Sequence, residues 1–334
     1  MTSLTPPFAA VRPHPITQHG QSRIDDYFWL RDRDDPAVLQ YLVAENEHAA
    51  AQMAPTRSLQ ERLVAGMRGR IREDDETVPE LHGTHDYFAR TEVGQEYAAI
   101  YRRPQADPDA PPQLLVDLNV LAHGRSFCRM GGWRVSDDER WFAYLIDYSG
   151  NESYSLLILD LHTGQHLPDQ IDGAYYGIEW ATDNRTLFYT VIDDAHRPYR
   201  TYRHAIGTDT ADDVLVYAEP DPMFFVYVRR TRSRQFLFIT SFSGTTGEVR
   251  VFPADRPALE PVVVVPRRHG IEVGLEHQGN RFLLLTNDNA LNFRVLSAPA
   301  ELTETLAWQE LIPARDDVLI ESVDGFQDRV VVLQ

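Results

Sequence analysis

Ser136-Asp137-Asp138-Glu139-Arg140-Trp141-Phe142-Ala143-Tyr144-Leu145-Ile146 is the stretch that decides the reading of this chain. Polar, turn-forming residues run straight into aromatic and aliphatic ones that favour a buried strand. The same passage recurs. Thr182-Asp183-Asn184-Arg185 precedes Thr186-Leu187-Phe188-Tyr189-Thr190-Val191, and Arg232-Ser233-Arg234 precedes Gln235-Phe236-Leu237-Phe238-Ile239. Gln278-Gly279-Asn280 precedes Arg281-Phe282-Leu283-Leu284-Leu285, and Asp324-Gly325-Phe326-Gln327-Asp328 precedes Arg329-Val330-Val331-Val332-Leu333. These strands start at 141, 186, 235, 281 and 329, at intervals of 45 to 49 residues. An earlier copy starts near Asp86, set back by the Pro/Asp-rich loop 104–112. A period of about 40–50 residues with several strands per unit is the signature of a β-propeller.

Further strands fit inside each period, at 154–161, 199–206, 248–252 and 292–296. Leu156 and Ile158 point one way and Leu157 and Leu159 the other, so both faces are apolar. That suits a sheet held between neighbouring blades rather than one with a wet face. A β-sandwich with coincidental spacing is the competing reading. The expectation is a mainly β chain with about five blades and a started sixth, over residues 76–334. The sixth stops after its second strand, at Val330-Val331-Val332-Leu333-Gln334. A chain ending in an apolar strand leaves an unpaired edge, so this sequence is expected to be the front part of a longer protein.

Residues 1–75 read differently. An extended, proline-rich start leads to Asp34-Asp35-Pro36, an acidic cap followed by proline in the first turn of a helix. Val38, Leu39, Leu42 and Val43 give that helix an apolar face, and it runs to about Met53. Pro55 separates it from a second helix, where Ser58 and Glu61 form a predicted capping box. Leu59, Leu63, Val64, Met67 and Ile71 follow on one stripe. Two such helices cannot bury both faces alone, so they are expected to pack on something else.

The 334 residues are 43% hydrophobic and 25% charged, the balance of an ordinary globular protein. No apolar run is long enough to cross a membrane as a helix, and the first twenty residues do not read as a secretory signal. Cys128 is the single cysteine, which excludes an intrachain disulfide and a thiolate-rich metal site. The net charge is −18, and every basic residue is arginine. An acidic surface repels nucleic acid and attracts cationic ligands over a Debye length of ~8 Å. Absence of lysine excludes a phosphate-loop lysine and a Schiff-base lysine.

Candidate chemistry is sparse. No Gly-x-Ser-x-Gly elbow occurs; Gly124-Arg125-Ser126-Phe127-Cys128 lacks the closing glycine, so Ser126 reads as a turn residue and Cys128 as a small buried hydrophobe. His82 and His85, and His162 and His166, are the close histidine pairs, without a metal-binding pattern around them. Asn287-Asp288-Asn289 reads as a turn rather than a calcium loop. Asn151-Glu152-Ser153 and Asn184-Arg185-Thr186 match a glycosylation pattern that has no meaning without secretion. Asp137, Asp138, Asp183 and Asp324 sit at inter-strand turns as solvated hairpin residues. No catalytic, cofactor or metal residue is assigned.

Taken together, these passages resemble the prolyl oligopeptidase family of serine peptidases. Asp25-Asp26-Tyr27-Phe28-Trp29-Leu30-Arg31-Asp32 resembles its N-terminal signature. Asp117-Leu118-Asn119 with Leu121-Ala122, Gly124 and Gly131 resembles its first-blade segment. Val135-Ser136 with Asp138, Asp147 with Gly150 and Glu152, and Asp160-Leu161 with Thr163-Gly164 resemble the next. Arg197-Pro198-Tyr199-Arg200, Arg203-His204, and Phe224-Phe225-Val226 through Ser243 are similar to the oligopeptidase B branch in particular. Phe127-Cys128 departs from the aromatic pair more usual there.

The resemblance implies a propeller of an expected seven blades capping a C-terminal α/β-hydrolase domain, which this chain does not contain. The catalytic Ser, Asp and His and the acidic pocket for Arg or Lys would lie beyond Gln334. The N-terminal helices would lie against that domain. The whole enzyme would cut short basic peptides in the cytoplasm by acyl transfer, without a cofactor, the propeller limiting substrate size. The fragment alone would be inactive. A stand-alone propeller used as a binding scaffold, and a carboxylate-based glycosidase, are the alternatives.

Overall fold

The computed structural model describes residues 5–303 and 305–334. Contacts divide the chain into a first unit ending at Glu73 and a second from Asp74 to Gln334.

In the first unit, strands His14–Gln18 and Gln21–Asp25 form a hairpin whose turn places His19 and Gly20 in the left-handed region, at φ 52° and 76°. The Asp25–Asp32 signature folds back on it. Trp29 donates from Nε1 to Ala10 O at 2.8 Å, the Arg12 guanidinium lies 4.1 Å over the indole, and His14 stacks on Phe28 at 4.0 Å. Helix α1 spans Pro36–Met53, with Pro36 in its first turn and Asp35 accepting from Ala37 N. A short tight turn, Ala54–Thr56, leads into helix α2, Arg57–Arg68. The expected capping box is not formed. The residue before α2 is Thr56, already helical at φ −93° and ψ −1°, and Ser58 lies inside the helix. Val38 is buried, whereas Leu39, Leu42, Val43, Leu59, Leu63, Val64, Met67 and Ile71 are exposed.

The second unit is a run of antiparallel sheets. Blade 1 uses Asp75–Glu76 and Glu80–His82 as its inner edge, then His85–Thr91, Ala99–Pro104 and Gln113–Asp117. Blade 2 uses Arg129–Val135, Trp141–Asp147 and Tyr154–Asp160. The strand Gln165–Trp180 is the outer strand of blade 2 in its first part and the inner strand of blade 3 in its second. Thr186–Ile192, Pro198–Ala205 and Val214–Ala218 complete blade 3. Blades 2 and 3 therefore share one seven-stranded sheet, which the repeat pattern does not announce. Blade 4 is Phe225–Arg230, Phe236–Phe242, Gly247–Pro253 and Val262–Val265. Blade 5 is Val273–Gln278, Arg281–Thr286, Arg294–Pro299 and Gln309–Ile312. Its third strand begins two residues later than the pattern indicates, because Phe293 takes the left-handed conformation at φ 63°. Ser322–Gly325 and Val330–Leu333 form the sixth sheet.

The two-faced strands explain the stacking. Phe142, Tyr144 and Ile146 pack with Tyr87, Ile100 and Val116 of blade 1, while Ala143 and Leu145 between them pack with Ile178, Trp180 and Leu187 of blade 3. Phe188 joins Val226, Leu237 and Ile239 of blade 4; Phe238 joins Leu275, Phe282 and Leu284 of blade 5; Leu283 joins Ile320 and Val323. Successive residues of the second strands of blades 2 to 5 thus serve two cores. Each buried aromatic contributes about 1.5–3 kcal/mol. Loss of any of these four strands would open two cores at once.

Candidate functional site

Every second strand begins at a turn from its inner strand. The longer turns close through Ser136 N–Trp141 O, Ala181 N–Thr186 O and Thr231 N–Phe236 O, at 2.9–3.0 Å. Glu139, Asn184 and Arg234 take the left-handed conformation in the same place of each. In the shorter turns of blades 1 and 5 that place is taken by Gly83 and Gly279, which adopt it without strain.

Three residue pairs in from each turn, the inner strand carries a charge. Glu80 pairs with Tyr87, Arg134 with Ala143, Glu179 with Phe188, Arg229 with Phe238, Glu276 with Leu283 and Asp324 with Val331. Blades 2 and 3, and blades 4 and 5, pair four of these charges. Arg134 Nε meets Glu179 Oε1 at 2.9 Å, and Arg229 Nη1 meets Glu276 Oε1 at 2.7 Å. Arg229 also donates to Leu275 O. Burial pushes the Glu179 carboxyl above the usual range, against the pull of Arg134.

The turns themselves are clasped across blades. Asp137 of blade 2 accepts from Arg230 of blade 4 at 3.0 and 2.7 Å and from Arg234 at 3.1 Å. Arg234 Nη2 lies 3.2 Å from Nδ1 of His82 in blade 1, whose Nε2 is 3.3 Å from Ser136 O. Burial, then Arg234, draws the His82 pKa down, so the neutral ring accepts at Nδ1 and donates at Nε2. Glu139 accepts from Thr84 N and Oγ1 and from His85 Nδ1, at 3.0, 2.7 and 2.9 Å. Burial works against that carboxylate, but these donors hold its pKa below the usual value. Asn184 Oδ1 accepts from Asp138 N, Ser233 Oγ lies 2.8 Å from His277 Nδ1, and Gln278 Nε2 donates to Phe326 O. The arrangement is a set of ion pairs and hydrogen bonds running from turn to turn, suited to bracing one end of the blades.

Asp137 is therefore not the solvated hairpin residue the sequence suggests; its partner Arg230 has a side chain only 8% exposed. Asp324 meets Arg232 at 3.2 Å at the surface, Asp138 accepts from Ser136 Oγ, and Asp183 caps Arg185 and Thr186. Ser126 lies on an exposed bend, and Cys128 is buried in the core between blades 1 and 2, its thiol pKa raised by burial. His82 and His85 face each other across their hairpin and engage different partners, Ser136 with Arg234 and Glu139. His166 meets the Tyr144 hydroxyl at 2.7 Å while His162 is exposed. Asn287 Oδ1 accepts from Glu272 N in a turn. Among the described residues, no group of three His, Cys, Asp or Glu is placed to hold a metal. The inner-strand charges escape any reading that aligns only the second strands; counting back from each turn finds them.

At the other end of the blades, Arg197, Phe224 and Arg267 organise a loop. Arg197 Nη1 donates to Asp221 O at 2.7 Å and Phe224 O at 3.1 Å, and Arg267 lies 3.6 Å over the Phe224 ring while pairing with Glu219 at 2.5 Å.

Residues 6–334 match the family model described as the prolyl oligopeptidase N-terminal beta-propeller domain. The chain belongs to the prolyl oligopeptidase family. It is 34% identical to dipeptidyl aminopeptidase BI of Pseudoxanthomonas mexicana, covering 99% of this chain and 48% of that protein. It is 35% identical to protease 2 of Moraxella lacunata, covering 94% and 48%. Oligopeptidase B from Leishmania major is similar in structure at a TM-score of 0.89 and 28% identity, over 96% of this chain and 48% of that one. Oligopeptidase B from Trypanosoma brucei, closed with covalently bound antipain, matches at 0.89 and 27%, over 98% and 49%. The chain spans about half the length of the curated relatives it matches.

Proposed function

We propose that this chain is the propeller-bearing N-terminal part of a cytoplasmic serine oligopeptidase that cuts short peptides after Arg or Lys. A Ser-His-Asp triad in a C-terminal α/β-hydrolase domain performs acyl transfer, and the propeller limits substrate size. The helical segment 1–75 packs on that domain, covering the apolar faces of α1 and α2. The observation that carries the reading is coverage: a propeller match over 6–334 spans only about half of relatives named as peptidases. The −18 charge supports attraction of basic peptides.

The chain alone is expected to be inactive on a fluorogenic peptide with Arg at the cleavage position; inhibitor-sensitive turnover by it overturns the proposal. With the hydrolase domain present, the rate on that peptide falls as ionic strength rises, and a flat dependence removes the electrostatic role. One relative is named a dipeptidyl aminopeptidase. Preference of the whole enzyme for unblocked dipeptide substrates over the Arg peptide would therefore replace cleavage after Arg or Lys as its specificity.

A further inference from the structure

One of the contacts between turns is a hydroxyl–imidazole pair rather than a pair of charges. Ser233 lies exposed on the first turn of blade 4, on a cleft of about 450 Å3 lined also by His277, Gln278, Gly325 and Phe326. Its Oγ is 2.8 Å from Nδ1 of His277, the last residue but one of the inner strand of blade 5. His277 is 1% exposed and packs against Phe236 and Phe282 at 4.8 and 5.7 Å, and its Nε2 has no hydrogen-bond partner. Burial lowers the His277 pKa, which keeps the ring neutral. A neutral imidazole protonated at Nε2 presents a lone pair at Nδ1 to the serine hydroxyl. Ser233 Oγ also accepts from Gln235 N at 3.4 Å and lies 2.9 Å from Thr231 Oγ1, so its position is held from three sides.

We propose that Ser233 is an acyl-acceptor site, with His277 as its base, for small activated acyl esters that enter this cleft. Ser233 Oγ attacks the ester carbonyl as its proton passes to His277 Nδ1. The Oγ–C bond forms, the bond from that carbon to the leaving oxygen breaks, and the proton goes on to the departing alkoxide or phenoxide. The activated ester carries a better leaving group than the serine ester it forms, so acylation outruns hydrolysis and the acyl group accumulates on Ser233.

The test is treatment of the intact protein with p-nitrophenyl acetate, followed by peptide mapping over time. Acetylation of Ser233 is expected to outrun that of every other propeller serine and to vanish in Ser233→Ala. His277→Gln slows it by about 100-fold, the lower range for a positioned base. Should that variant fold poorly by circular dichroism, the pH profile of the unaltered protein decides: the Ser233 rate stays level through the ordinary imidazole range, about pH 6.5, and falls only below it as a single group protonates. Acetylation spread evenly over several serines, or a Ser233 rate that rises with hydroxide alone, overturns the proposal.

Discussion

Gly131 lies on the inner strand of blade 2, where a Cβ would stand 2.6 Å from the Tyr154 ring. That ring is fully buried and its hydroxyl meets Tyr176 at 2.5 Å, so it has no room to withdraw. Gly131→Ala is expected to cost about 1–3 kcal/mol, read from urea denaturation, as overpacking does. An unchanged midpoint would mean that the tyrosine pair is mobile. Asp147 shows the opposite economy of space. It accepts from Ser149 N and Oγ, Gly150 N and Glu152 N, at 2.6–3.1 Å. Burial raises its pKa, but these donors outweigh it and the net shift is downward. The folded value lies below the unfolded one, so its stabilisation is complete above about pH 4 and is lost as pH falls through the folded value. The difference in urea midpoint between the protein and Asp147→Asn should therefore shrink on going from pH 7 to about pH 3. A constant gap would show that the loop is held by something other than the charge.

At the scale of elements, α1 begins where Asp35-Pro36 directs, because an extended cap followed by proline satisfies the free amides locally. The Ser58–Glu61 box fails for the complementary reason. The chain never leaves helical geometry between Ala54 and α2, so no extended residue is available to cap. Second strands were legible to within one residue at 141, 186, 236 and 281, since their alternation is set by two flanking cores. The shared strand Gln165–Trp180 was not. Gly173 at φ 75° only bends the chain, which pairs with blade 2 before it and with blade 3 after it. The α2 stripe gives a prediction at this scale. Leu59→Gln, Leu63→Gln and Met67→Gln together should change the stability of the chain by less than about 1 kcal/mol while raising its solubility. A loss above about 2 kcal/mol would show that the chain itself covers this face.

Over the whole second unit, the clasp around Asp137 joins turns that are not neighbours in the blade order. Asp137→Asn leaves the nearly buried Arg230 guanidinium without its carboxylate and should cost about 2–3 kcal/mol, less than a fully buried pair because Arg234 is partly solvated. Arg234→Gln should cost less than half as much. Equal losses in the two variants would mean that Arg230 is not the anchor. Sequence alone determined the rhythm of this protein: a polar turn, a strand with two apolar faces, and a repeat of about 47 residues are local patterns that each segment carries by itself. Only the tertiary structure decided what the turns do. Asp137 meets Arg230 and Arg234 from 93 and 97 residues away, because stacking brings the same end of every blade together. No local periodicity encodes a partner at that separation, so the charges that brace the blades read as solvated until the sheets are assembled.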